Sequence, residues 1–166
     1  SVRMRNNEPK IKKMSNFTRF LPGFKATYIS VGALYVLLAG SLFLRGIPES
    51  MAQFNVPSEI LNSPHYLDAM LWTYSHMIIL GLVIGLMGFF AEGVKLKGWM
   101  SGLLLLANAY YTLLDFRSSD SNLGNGLYEG EASLIPAIIA LGITMLFLQL
   151  VVRNVFARQA LGIKEG

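Results

Sequence analysis

Residues 67–90, LDAMLWTYSHMIILGLVIGLMGFF, constrain this chain more than any other stretch. After Asp68 the run carries no Asp, Glu, Lys or Arg. At ~1.5 Å per residue it reaches about 36 Å as a helix, enough to cross a hydrocarbon core ~30 Å thick. A stretch this long and this apolar predicts a transmembrane helix. The whole chain agrees: 53% of its 166 residues are hydrophobic and only 14% are charged, against about 25% charged in an ordinary soluble domain.

Three further stretches have the same character, at 24–44, 99–116 and 132–152. The predicted fold is therefore an all-α integral membrane protein with four transmembrane helices arranged as two hairpins. A basic N-terminal segment, 1–23, is expected to lie on anionic headgroups rather than to act as a signal peptide. A basic tail, 153–166, follows the last span. Ser63 before Pro64 reads as an N-cap followed by a first helical position, and 57–61 is long enough for one helical turn. The third span is the shortest and most polar, with Ser101, Asn108, Tyr110, Tyr111 and Thr112. Four spans occupy most of the chain and leave no room for a soluble catalytic domain.

Lysine and arginine set the expected orientation. Twelve of the 14 fall before or at the start of the first span, in the 91–98 turn or after the last span; only Arg45 and Arg117 lie in the other loops. The positive-inside rule then puts both termini and the 91–98 turn on the cytoplasmic-type side. This distribution also accounts for the net charge of +4 without nucleic acid as a partner. The absence of cysteine removes disulfides, thiolate metal sites and cysteine nucleophiles.

The candidate site is a polar set near the bilayer midplane: His76, Asn108, Tyr111 and Thr144, with Ser30 and Tyr35 beside the centre of the first span. Such groups are costly against lipid and are expected to face a bundle interior. Two roles fit them. They could form a hydrogen-bonded ligand or proton-handling site, or His76 could be neutral interhelix glue. A second pattern, Gly81, Gly85 and Gly88, with Gly32 and Gly40 on the first span, predicts close helix packing, within the bundle or against a neighbour.

No cofactor is expected. His65 and His76 lie 11 residues apart, ~16 Å along a helix. They cannot hold one metal or one haem together, so haem or pigment contact through either would need a ligand from another molecule. The 115–131 loop partly matches a calcium-loop spacing through Asp120, Asn122 and Glu131, but Gly124 and Asn125 break the pattern. These remain weak metal candidates in ordinary turn chemistry. No nucleophile–base pair, phosphate-binding glycine loop or HExxH motif appears, so nothing argues for an enzyme.

Four spans with both ends inside and a long first outer loop are similar in outline to the DoxX-like group of small bacterial membrane proteins. The similarity is one of layout and carries no residue roles. The expected function is a small accessory or structural subunit of a larger membrane complex, working through helix packing and lipid contacts. Its partners would be other membrane subunits and lipids, in a bacterial inner membrane or an equivalent energy-transducing membrane. The alternative is an autonomous small-molecule or lipid binder, or a transporter-like enzyme, using the midplane polar site.

Overall fold

A computed structural model describes residues 21–51, 56–119 and 134–160, and among them it is almost entirely helical with no strand. The elements are α1 (Phe24–Arg45), α2 (Ile47–Met51), α3 (Ser58–Leu61), α4 (Pro64–Phe90), α5 (Val94–Ser119) and α6 (Ile135–Ala160).

Local chemistry sets the helix ends. The Ser63 hydroxyl accepts from Tyr66 N–H at 3.2 Å, with Pro64 as first helical residue, the expected N-cap arrangement. Gly93 at φ 77° lets the chain reverse within residues 91–93, because this left-handed conformation is open to glycine at no steric cost. The turn after α4 is thus shorter than the 91–98 expected, and α5 starts at Val94 rather than near Trp99. Pro136 sits in the first turn of α6, where its missing N–H costs nothing.

Three helices are long and apolar enough to cross a membrane: Phe24–Arg45, Pro64–Phe90 and the 20 residues Ile135–Asn154. That makes the chain compatible with an integral membrane protein. α5 does not meet this standard. The standard is one of length and composition, and Asn108, Tyr110, Tyr111, Thr112 and Asp115 lower the mean hydropathy of α5. Of its polar residues Ser101, Asn108 and Thr112 are buried, so part of its circumference faces protein.

The exterior is apolar on every long helix. Leu37, Leu44, Leu82, Phe90, Trp99, Leu106, Leu113 and Ile138 are each more than half exposed, while Thr27, Ser101, Asn108 and Thr112 are buried. Contiguous apolar surface on this scale is foreign to monomeric soluble proteins.

The helices pack as two antiparallel pairs, α1 with α4 and α5 with α6. Glycine closes the first pair. A Cβ placed on Gly32 would lie 2.5 Å from Gly81 O and 2.7 Å from Gly85 N. One on Gly81 would meet Gly32 O at 2.8 Å, and one on Gly88 would meet Tyr28 Cβ at 2.9 Å. The backbones touch because side chains are absent. Gly85 lends only its backbone, and Gly40 has open space where its Cβ would be. The glycine face therefore joins the chain to itself.

Two apolar clusters fill the interior. Tyr28, Val31, Ile84, Ile143, Phe147 and Leu150 tie α1 and α4 to α6. Ala39, Met51 and Tyr74 close the opposite end, where the Tyr74 hydroxyl donates to Met51 Sδ at 3.3 Å. α2 and α3 thus fold back onto the far end of the first hairpin.

Candidate functional site

The two hairpins meet along a polar seam. Tyr28 Oη lies 3.5 Å from Ser101 Oγ, and the Tyr35 hydroxyl donates to Asn108 Oδ1 at 3.0 Å. Both pairs have the same sequence separation of 73 residues, so α1 and α5 run parallel and in register. The members of each helix are seven residues apart, close to two helical turns, which keeps them on one stripe.

Deeper along α5 the seam continues into the second hairpin. Asn108, 3% exposed, donates its amide to Leu104 O at 2.8 Å. Thr112 Oγ1 stands 2.8 Å from Asn108 O and 2.9 Å from Thr144 Oγ1. Thr144 Oγ1 is also 2.9 Å from Ala140 O. One threonine hydroxyl donates across the helices, and the other keeps its bond to its own helix. The side chains of Tyr35, Asn108, Thr112 and Thr144 thus each have a partner within the bundle, as buried polar groups require, whereas Thr27 Oγ1 and Gln149 Oε1 are buried without one.

Of the four residues expected to converge, the structure joins Asn108 and Thr144, through Thr112. It does not bring in the other two. Tyr111 is 45% exposed. His76 is exposed on the outer face of α4, where its ring stacks on Trp72 at 5.3 Å and Nδ1 lies 2.7 Å from Trp72 O. A carbonyl can only accept, so Nδ1 carries the proton and Nε2 of the neutral ring is an acceptor. The expectation that His76 faces the interior is corrected, because the interior side of this helix is taken by Tyr74, Gly81, Ile84 and Gly88. Ser30 also points outward.

Tyr28, Ser101 and Thr112 were absent from the expected cluster. A signal for two of them exists in the sequence: Tyr28/Tyr35 and Ser101/Asn108 repeat one seven-residue spacing on two spans.

His65 is exposed and 11 residues from His76 on α4, so the two share no site. Among the described residues no group of three His, Asp, Glu or Cys side chains could hold a metal ion. Asp120, Asn122 and Glu131 lie outside the described residues.

At the end of the bundle where α1 and α5 begin, basic side chains gather over aromatic rings. Lys25 Nζ sits 5.0 Å from the Phe89 ring centre and Lys97 Nζ 5.4 Å from that of Phe24. Arg153 donates to the carbonyls of Leu21 and Pro22 at 3.2 and 3.1 Å, and Gln149 donates to Pro22 O at 2.9 Å. These bonds pin the entry of α1 to the end of α6.

No protein-family model, curated protein or solved structure matches this chain.

Proposed function

We propose that this protein is a four-span accessory subunit of a larger membrane complex, with both termini and the 91–93 turn on the cytoplasmic-type side. The observation that carries the reading is the outward His76. It lies midway along α4 on an exposed face, with Nδ1 held by Trp72 O and no hydrogen bond to Nε2 among the described residues. In hydrocarbon an unpaired polar group costs several kcal/mol. A neighbouring transmembrane helix offering a donor removes that cost. The Trp72–His76 stack gives such a neighbour a flat aromatic surface to pack on. The charge distribution supports the orientation, and the burial of Ser101, Asn108 and Thr112 supports counting α5 as the fourth span.

The rival reading, an autonomous binder using the midplane polar groups, draws less support. Tyr35, Asn108, Thr112 and Thr144 are spent on one another, and no catalytic constellation accompanies them.

Purification from native membranes in mild detergent tests the proposal. Co-migration with a large assembly is expected, and His76→Phe should abolish it while the isolated chain stays folded. A lone monomer or homodimer carrying a bound small molecule would overturn it. A visible spectrum of the same sample addresses haem: an absorption band lost in His76→Phe would make Nε2 a haem ligand instead of a subunit contact.

A further inference from the structure

The basic end of the bundle holds a cleft of about 250 Å³, lined by Phe24, Val94, Lys97, Ser101, Leu150, Arg153 and their neighbours Gly23 and Asn154. No carboxylate lines it. The Arg153 Nη1 group is committed to Leu21 and Pro22, which fixes the guanidinium plane and leaves its other N–H donors unspent on those carbonyls. The Lys97 ammonium has its π-contact with Phe24 and no hydrogen bond or ion pair among the described residues. Two cations thus stand over a part-apolar cleft that offers no counter-charge. The first turns of α1 and α5 contain no acid either, so their positive dipole ends add to the same field.

We propose that this cleft binds a phosphate anion, carried on a lipid headgroup or free in the adjoining water, between Lys97 and Arg153. The chemistry fits on three counts. The guanidinium presents a rigid fork to phosphate oxygens, and the ammonium adds a point charge. Ser101 and Asn154 supply neutral polar groups, while Phe24, Val94 and Leu150 provide an apolar wall for a glycerol and the first methylenes of an acyl chain. The volume falls below the roughly 300–1,000 Å³ of sites that enclose whole drug-sized ligands, which suits a headgroup with its tails outside. Basic pockets between transmembrane helices on this side of a membrane are known recognition sites for anionic lipids. The inference needs the membrane but does not depend on the subunit role.

The full chain in nanodiscs of phosphatidylcholine with phosphatidylglycerol tests it, with native mass spectrometry counting the lipids retained. The wild type should retain phosphatidylglycerol selectively. Lys97→Gln and Arg153→Gln should each weaken retention roughly fivefold, the effect of about one surface charge on anionic lipid. Because Arg153 also anchors residues 21–22, Lys97→Gln is the deciding variant. In phosphatidylcholine alone, inorganic phosphate is compared with chloride at equal ionic strength. A rise in melting midpoint specific to phosphate and lost in Lys97→Gln assigns the free anion. The proposal fails if Lys97→Gln retains phosphatidylglycerol as the wild type does and phosphate leaves the midpoint unmoved.

Discussion

The Tyr35 hydroxyl donates to Asn108 Oδ1 at 3.0 Å, and this single bond joins the middle of one hairpin to the middle of the other. Tyr35→Phe removes the donor and leaves a buried carbonyl oxygen short of one bond. The expected loss is about 1 kcal/mol, within the range for interhelical hydrogen bonds in membranes. Reversible unfolding in mixed micelles measures it. A double-mutant cycle with Asn108→Leu should return a coupling of similar size, since both variants act on one bond.

The glycines should divide sharply. Gly32→Ala and Gly81→Ala place a methyl group less than 3 Å from the facing backbone, so the pair must separate. A loss of roughly 1–3 kcal/mol is expected from such overpacking. Gly85→Ala and Gly40→Ala enter open space and should be neutral or stabilising by up to about 1 kcal/mol, the ordinary gain of alanine over glycine in a helix. The same unfolding assay ranks the four variants, and a large loss for Gly85→Ala would contradict the packing described.

His76→Leu should leave the stability of the isolated chain within about 0.5 kcal/mol, because the ring is exposed and both its hydrogen-bond partner and its stacking partner are Trp72 of its own helix. An unfolding midpoint well below that of the wild type would put His76 back into the interior.

Arg153→Ala and Gln149→Ala should free the entry of α1. Arg153 ends on the Leu21 and Pro22 carbonyls and Gln149 on that of Pro22, and neither variant touches the glycine contacts. Limited proteolysis should cut near residue 21 several-fold faster in the double variant, with the helical circular dichroism signal unchanged.

What was readable in advance follows from what a sequence encodes along an axis and around it. Position along a helix is a residue count, so the place of His76 midway along its helix, the Ser63–Pro64 start and the Phe24 start could all be read directly. Direction around the helix needs contrast between faces. α4 is apolar on all sides after Asp68, and nothing in that run marks which flank is protein and which is lipid. His76 was assigned inward on the cost of exposing it, and that argument is blind to a neighbour outside the chain. Glycine does carry direction, because close approach demands a missing side chain. Gly81 and Gly88 reveal their facing helix, whereas Gly85 shares the spacing but offers only its backbone. The polar seam was half legible: Asn108 and Thr144 stood out as polar residues in apolar spans, while Tyr28 did not.

The common register of α1 and α5 bears on the order in which this chain is made. The glycine-closed pair, α1 with α4, is complete by residue 90, before any of α5 has been synthesised. Its seam-facing tyrosines must then wait for Ser101 and Asn108 to arrive. The joint between the halves can therefore close only after α5 has been made. Held by a few hydrogen bonds and one apolar cluster around Tyr28 and Phe147, where the halves themselves are held by continuous contact, it is also the place where a chain cut at the 91–93 turn would come apart.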